Sequence, residues 1–422
     1  MMYMGGTREL DTGRIAICRY LVGQISVKLE FDRLQNDSKM SGMYKREIEK
    51  DIDSYLKGKD NKTLFVWGPR RSGKTTIMKK LAKQLGERLY NFDFVTDREP
   101  FVPRRTQLDQ LVAKHKVILI DEVQNYPEST VVIKLLHDEY SVKVIATGSS
   151  ELRQKSKVFD SLAGRYREVY CLPLTEYELA QNMDVHDERG VESIVGRATQ
   201  IQKYGAYPEV LLSREDERIE LLNNILNNYV LKDVLNIYEL KDLKLAKDIL
   251  TKIALQIGSE VSVREIAKSL TASPTTIANY IEIFVKNYIL IPLPSFKTNV
   301  RRAVSENRKL YFLDLGIRNA LIQDFRDLEL RPDRGGVFEN FVISEIEKAR
   351  RVKKTLVNLY FYREYGGKEI DLIVEDYYKK YVTVEIKVGG GKMQKIFPLP
   401  NKQLMINSEN YMDQIPKILG SK

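Results

Sequence analysis

Gly68, Gly73, Lys74 and Thr75 stand in "GPRRSGKTT" at the spacing Gly-x-x-x-x-Gly-Lys-Thr. The apolar run Leu64 to Trp67 comes directly before them, and "IMKKLAKQL", with helical spacing, directly after. A strand, a glycine-rich turn and a helix in that order form a cradle for phosphate. The glycines let the backbone wrap an anion, and the helix N-terminus presents unpaired N–H groups to it. Gly68, Pro69, Arg70, Arg71, Ser72, Gly73, Lys74, Thr75 and Thr76 therefore line a predicted nucleotide site. Lys74 would neutralise the β- and γ-phosphates, and the Thr75 hydroxyl would ligate Mg²⁺, so ATP and Mg²⁺ are the expected cofactors.

"KVILIDEVQ" supplies the acids such a site needs. Val117 to Ile120 reads as a buried parallel strand ending in Asp121 and Glu122. Asp121 would hold Mg²⁺ and Glu122 would activate the attacking water; the plainer alternative is a helix N-terminus that favours negative charge. A further strand, "VKVIATGSS", ends in Thr147, Ser149 and Ser150, where a polar sensor of the γ-phosphate would sit. "LAGRYREVYCLPLT" places Arg165 and Arg167 just before another strand. Arg165 is predicted to act as an arginine finger on a neighbouring subunit, against the alternative of an ordinary surface arginine.

A second set of reactive types lies near the other end of the chain. "YGGKEIDLIVEDYYKKYVTVEIKV" reads as a hairpin whose loop falls near Glu375 to Lys380. With the loop centred on Tyr378, Asp371 lies opposite Glu385, and cross-strand partners have Cβ atoms ~5 Å apart. Two carboxylates so placed repel unless a cation sits between them, and Lys387 on the same face would orient water or stabilise a reacting phosphate. The alternative is a solvated polar face.

Elements that must position these residues follow from the patterning. The chain has 422 residues, 43% hydrophobic and 30% charged, which suits two to four globular domains and excludes a disordered one. Residues 1–42 lack sustained periodicity and read as an extension. "MYKREIEKDIDSYLKG" predicts an amphipathic helix from Met43 closed by Gly58. Strand and helix patterns alternate to about residue 180, the mark of a parallel sheet covered by helices. Residues 181–244 read as mostly helical, as in "ERIELLNNILNNYVLKDVL".

"VSVREIAKSLTASPTTIANYIEIFVKNYIL" reads as helix, turn and helix, with Ser273 as N-cap and Pro274 in the first position. Ile266, Ala267, Leu270, Ile277, Ile281 and Phe284 would form its core, and Thr275, Thr276, Asn279 and Lys286 would face a DNA groove. A wing follows, in which Lys297, Arg301, Arg302, Arg308 and Lys309 outweigh Glu306 and would contact phosphates. Glu282 on the second helix is unhelpful for DNA, and such modules also dock proteins. "LELRPDRGG" (328–336) reads as a linker into the last domain.

The net charge of +10 agrees with a polyanionic partner. Cys18 and Cys171 with His115, His137 and His186 supply neither a disulfide framework nor a zinc site. No apolar run reaches the ~18 residues of a membrane span, so a cytoplasmic protein without a membrane partner is expected.

The order GPRRSGKTT, ILIDEVQ, ATGSS, LAGRYREVYCLPLT and YGAYPEVLL resembles the AAA-type P-loop ATPases of prokaryotes that carry a C-terminal DUF4143 region. The resemblance covers nearly everything after residue 43. It implies an α/β fold: an AAA-like P-loop core (43–180), a helical extension (181–244), a winged-helix module (245–327) and a small α/β domain similar to PD-(D/E)xK nucleases (333–422). In that last domain the D…ExK pattern matches Asp371, Glu385 and Lys387. Glu339 in "GGVFENFVISEIEKA" matches the helical acid, so Glu339, Asp371 and Glu385 would hold a metal ion and Lys387 would be catalytic. After Gly391 the chain is short and contains Pro398 and Pro400, so the usual supporting helix is expected to be missing. Two functions stay open. One is an ATP hydrolase acting on DNA with a metal-dependent nuclease domain, working as a homo-oligomer. The other is a nucleotide-dependent switch whose nuclease-like domain binds a protein partner without cutting.

Overall fold

Five short strands make the first sheet of the computed structural model, which describes residues 44–148, 159–182, 194–233, 242–297, 308–364 and 367–420. They are β1 (Thr63–Trp67), β2 (Leu89–Asn91), β3 (Val117–Asp121), β4 (Lys143–Gly148) and β5 (Tyr166–Tyr170). All are parallel, in the order β2-β3-β4-β1-β5. Every residue of β1 and β3 is buried, as continuous apolar runs require when helices cover both faces. The period of two divides these residues between two cores. Phe65, Trp67, Ile118 and Ile120 pack on one face with Leu108, Leu111, Val132 and Leu136 from the helices Arg105–Lys114 and Ser129–Glu139. Leu64, Val66 and Leu119 pack on the other with Ile48, Ile52, Ile77 and Met78 from the helices Ile48–Lys57 and Lys74–Leu85.

The predicted first helix starts later than its periodicity suggests, at Ile48, because Arg46 is drawn inward. Gly58 follows its end with an N–H donated to the carbonyls of Ser54 and Tyr55. The extension before it lies outside the described residues, and Arg46–Lys422 form one compact unit.

The helical segments from Tyr204 to Leu231 and the module from Ala246 to Leu321 share a single core. Val210, Leu222, Ile225 and Tyr229 pack into the same cluster as Ile249, Ile266, Ala267, Ile277, Ile281, Phe284 and Leu310, with Leu270 partly buried against it. The described part of "ERIELLNNILNNYVLKDVL" lies in the α-helix Glu215–Asn224, which continues as a π-helical stretch over Ile225–Asp233. The helices Val263–Ser269 and Pro274–Lys286 are each capped by a serine: Ser262 Oγ accepts from Glu265 N at 3.3 Å and Ser273 Oγ from Thr276 N at 3.0 Å. Strands β6 (Glu260–Val261), β7 (Leu290–Pro294) and β8 (Arg308–Phe312) complete the module in the order β6-β8-β7.

The predicted linker is built in rather than loose. Arg331 is buried and its guanidinium pairs with Asp333 at 2.9 Å. Within the last residues of that linker begins the helix Arg334–Val352, buried nearly all round because it passes between the first sheet, the preceding module and the last domain. Strands β9 (Val357–Arg363), β10 (Glu369–Asp376), β11 (Tyr381–Ile386) and β12 (Asn401–Ile406) follow in the order β12-β11-β10-β9. The tail does contain a supporting helix, Tyr411–Ile418, despite its Pro416. The buried Tyr411 ring meets the Phe341 ring edge-on at 5.2 Å, which anchors this helix on the long one. Among the described residues no helix is long and apolar enough to cross a membrane.

Candidate functional site

The phosphate loop runs from the end of β1 into the helix Lys74–Leu85, and two glycines make its path possible. A Cβ at Gly68 would fall 1.9 Å from the carbonyl oxygen of Cys171, so only glycine fits there. Gly73 turns with φ of 99°, a left-handed value that other residues adopt only under strain. Ser72 Oγ donates to the Pro69 carbonyl at 2.8 Å and braces the loop from inside. Lys74 is buried, and its ammonium donates to the carbonyls of Gly68 at 3.0 Å and Pro69 at 2.8 Å. Burial holds its pKa below the ordinary lysine value, while the charge of Glu122 opposes that shift. Pro69 is buried, Arg70 half-buried, and Arg71 and Thr76 exposed along the same loop and helix.

Asp121, at the end of β3, joins the loop to the neighbouring strand. Its Oδ2 accepts from Thr75 Oγ1 at 2.8 Å and its Oδ1 from Thr147 Oγ1. A hydroxyl and a carboxylate in contact beside a phosphate loop are hard oxygen donors of the kind Mg²⁺ takes while keeping nucleotide and water ligands, so Thr75 and Asp121 fit that ion. Glu122 follows with φ of 53°, an uncommon value for this residue type, held by its N–H on Thr147 Oγ1 at 3.2 Å. Its Oε2 accepts from Gln124 Nε2. Ser149 and Ser150 lie outside the described residues.

Sequence reasoning missed the support beneath the loop. Arg46 is buried and donates to the Ser72 carbonyl at 2.7 Å, the Leu172 carbonyl at 2.6 Å and Glu178 Oε1 at 2.9 Å. Arg71 pairs with Glu209, 2.5 Å away, on the helix Pro208–Leu212. Neither contact leaves a local trace, since Arg46 reads as one more basic residue in an amphipathic pattern.

Arg165 lies at the far end of the sheet from the phosphate loop. Its carbonyl accepts from Thr63 N at 2.9 Å, level with the start of β1, whereas the loop leaves the end of that strand. Its guanidinium pairs with Asp138 at 2.7 Å, and Arg167 pairs with Asp60.

On the helix Pro274–Lys286, Thr275, Asn279 and Lys286 are exposed and Thr276 is half-buried, so the predicted face exists. Glu282 on that face takes Arg308 as its partner at 2.7 Å. Lys297 is exposed, while Arg301, Arg302 and Glu306 lie outside the described residues. Lys309 departs from expectation: it is 1% exposed and reaches no outer surface. Its alternation along β8 points it inward, to acids of the last domain, so it is not a phosphate contact.

In that domain β10 and β11 pair with Leu372 opposite Val384, and just beyond that pair Asp371 Oδ2 accepts from Ile386 N at 2.8 Å, next to Glu385. Lys387 Nζ lies 3.1 Å from Asp371 Oδ2 and 3.4 Å from Glu385 Oε2. Burial and then the charge of Asp371 push the Glu385 carboxyl up to about 7, with Lys387 opposing. Glu339 stands beside them on the long helix, but Lys309 Nζ donates to its Oε1 at 3.0 Å and Tyr311 OH at 2.5 Å. Among the described residues no three His, Cys, Asp or Glu side chains are grouped as a metal ion requires. The expected three-acid metal centre is therefore not assembled in this arrangement, because a lysine from β8 holds the third acid.

Three family descriptions match successive parts of the chain: an AAA domain over residues 60–180, a domain of unknown function (DUF8612) over 198–328, and a domain of unknown function (DUF4143) over 334–398. The second spans the single core that runs from Tyr204 to Leu321. An uncharacterized protein of Haemophilus influenzae is 24% identical over 277 residues, covering 61% of this chain and 68% of the relative. Another, of Methanocaldococcus jannaschii, is 21% identical over 380 residues, covering 82% of this chain and 79% of the relative. Among solved structures, the Thermotoga maritima RuvB Holliday junction branch migration motor matches with 17% identity and a TM-score of 0.27 over 64% of this chain and 90% of that one. AMPPCP-bound DnaA from Aquifex aeolicus matches with 16% identity and a TM-score of 0.28 over 56% of this chain and 84% of that one. With an AAA domain around its phosphate loop and a DUF4143 region over the long helix and the last sheet, the chain matches over those two segments the AAA-type P-loop ATPases that carry a C-terminal DUF4143 region.

Proposed function

We propose that the protein is a Mg²⁺-dependent ATP hydrolase that acts on DNA. The observation that carries this reading is the contact of Thr75 and Thr147 with the two oxygens of Asp121, beside a buried Lys74. On nucleotide binding the Lys74 ammonium would exchange the carbonyls of Gly68 and Pro69 for phosphate oxygens. Thr75 and Asp121 would hold Mg²⁺, which supplies charge neutralisation across the β- and γ-phosphates. Glu122, turned out by its left-handed backbone, would take the proton of the attacking water. Thr147 would report the state of the site to β4. DNA would lie along Thr275, Thr276, Asn279 and Lys286.

A second reading, a nucleotide-dependent switch with a non-cutting C-terminal domain that binds a protein partner, is favoured by one observation. Lys309 already neutralises Glu339 from within the chain. Incubating the full chain with plasmid DNA, with Mg²⁺ or Mn²⁺, and with or without ATP separates the two. Turnover that needs Mg²⁺ and rises with DNA supports the hydrolase, and nicked plasmid adds the nuclease. Intact plasmid under every condition leaves the switch. No turnover at any metal concentration overturns the proposal.

A further inference from the structure

The turn between β10 and β11 carries two tyrosines where a hairpin tip ordinarily carries glycine, asparagine or another small polar residue. Tyr377 and Tyr378 are each 78% exposed, more than any other large hydrophobic side chain among the described residues. Their rings meet edge-on, with 5.8 Å between centroids and 87° between planes. Such a contact covers one ring face and leaves the others to solvent.

The tip is held firmly. Asp376 Oδ1 accepts from Tyr378 N and from Lys380 N, each at 2.8 Å, and Asp376 N donates to the Lys380 carbonyl at 3.0 Å. Lys379, turned with φ of 57°, reaches back to Glu375 Oε1 at 3.0 Å, while the other oxygen of Glu375 accepts from Asn358 Nδ2 at 2.9 Å. Both acids of the turn are therefore engaged by the chain itself, and the outer charges around the tyrosines are positive. Asp376 pairs in register with Val357 and Tyr381 with Asn401, so β9 and β12 start at the same end of the sheet as the turn. The four strand ends make a rim roughly 14 Å wide, three inter-strand spacings. Lys354 ahead of β9, Lys380 in the turn and Lys402 in β12 are exposed along it, and Lys354 also meets Asp51 at 3.9 Å.

Aromatic faces flanked by ammonium groups match a polyanion that has flat apolar faces of its own. A duplex keeps its base faces stacked inside, whereas a single strand offers them, and their stacking on an aromatic ring tolerates any sequence. We propose that this rim binds single-stranded DNA, with bases stacking on Tyr377 and Tyr378 and phosphates meeting Lys354, Lys380 and Lys402. The choice of DNA rests on the DNA-acting reading above. The stacking site itself depends neither on hydrolysis nor on the helix Pro274–Lys286.

The test is fluorescence anisotropy of the nucleotide-free full chain with a labelled oligothymidylate of about 12 nucleotides, within the range of single-strand sites, and with a duplex of equal length. Replacing both residues, Tyr377→Ser with Tyr378→Ser, should weaken the single strand on the order of tenfold or more, the scale of one lost stacking contact, and leave the duplex unchanged. Tyr377→Phe with Tyr378→Phe should bind both as the wild type does, and Lys380→Gln should flatten the salt dependence of single-strand binding. Neither tyrosine belongs to a hydrophobic core, so the variants keep the fold, which their unfolding midpoints check. Unchanged single-strand affinity in the serine pair, or an equal loss for the duplex, overturns the proposal. So does tighter binding of an oligouridylate, or a tip that holds the chain on phosphatidylserine vesicles and not on oligothymidylate. A chain that binds the single strand through these tyrosines but neither binds the duplex nor hydrolyses ATP would end the hydrolase reading and leave this site in place.

Discussion

Arg46 and Glu178 form a buried ion pair of 2.9 Å directly behind the phosphate loop. Glu178 Oε1 also accepts from Glu47 N at 2.9 Å and its Oε2 from Thr175 N at 3.0 Å. Burial would raise the carboxyl, but the Arg46 charge and these N–H groups outweigh it and hold Glu178 below the usual range. Stability from this pair is therefore fully present above the ordinary glutamate value and lost as pH falls through the lowered one. Arg46→Met leaves an uncompensated charge and should cost ~3–5 kcal/mol by chemical denaturation. It should also weaken ATP binding, because the Ser72 carbonyl loses its donor. Adding Glu178→Gln should return part of the stability. A variant that melts like the wild type would show the pair to be idle.

Positioning and activation are separate tasks at the nucleotide site. Lys74→Ala should lose ATP binding in an equilibrium assay. Glu122→Gln should still bind ATP and hydrolyse it ~100-fold or more slowly, the usual scale for a general base. Gln124→Ala frees the Glu122 carboxylate and should give an intermediate loss. Normal turnover in Glu122→Gln would remove that residue from water activation.

Arg165 cannot serve the phosphate loop of its own chain from the opposite end of the sheet, so any role in hydrolysis must be exerted on a neighbour. Arg165→Ala should then reduce turnover by ~10³-fold while leaving the unfolding midpoint close to that of the wild type, since its pair with Asp138 is partly exposed. Mixing Arg165→Ala with Glu122→Gln protein should restore some hydrolysis where intact halves meet. A monomer fully active after Arg165→Ala would exclude the finger.

Asp314 ties the segment at Ala206 to the helix Leu315–Ile322 and should make stability depend on pH. It caps the helix Leu315–Ile322, and its Oδ2 accepts from Ala206 N at 2.7 Å. Burial pushes its carboxyl up to about 6 from 3.8. Between those values the folded chain holds a proton that the unfolded chain has released, so stability falls as pH rises across that window. The loss should be on the order of 3 kcal/mol and absent in Asp314→Asn, measured as the difference between the two unfolding curves at each pH.

What the sequence determined by itself is local or periodic. The glycine and lysine spacing of the phosphate loop, the acid at the end of β3 and the division of β1 between two cores follow from short-range geometry. So do the serine caps of the helix-turn-helix and the register that sets Asp371 beside Glu385, since a strand's period of two leaves one register with both apolar faces inward. The tertiary structure decided what joins distant segments. Arg46 meets Glu178 across 132 positions and Lys309 meets Glu339 across 30. The segments from Tyr204 to Leu231 and from Ala246 to Leu321 close over one core, and the tail folds a helix onto Phe341. Lys309 shows the reason most plainly. Among its basic neighbours it carries the composition of a DNA-binding wing, and only the packing of β8 against the last domain turns its charge inward. A side chain's type states what it can pair with, whereas burial and approach, which no local pattern encodes, select the partner.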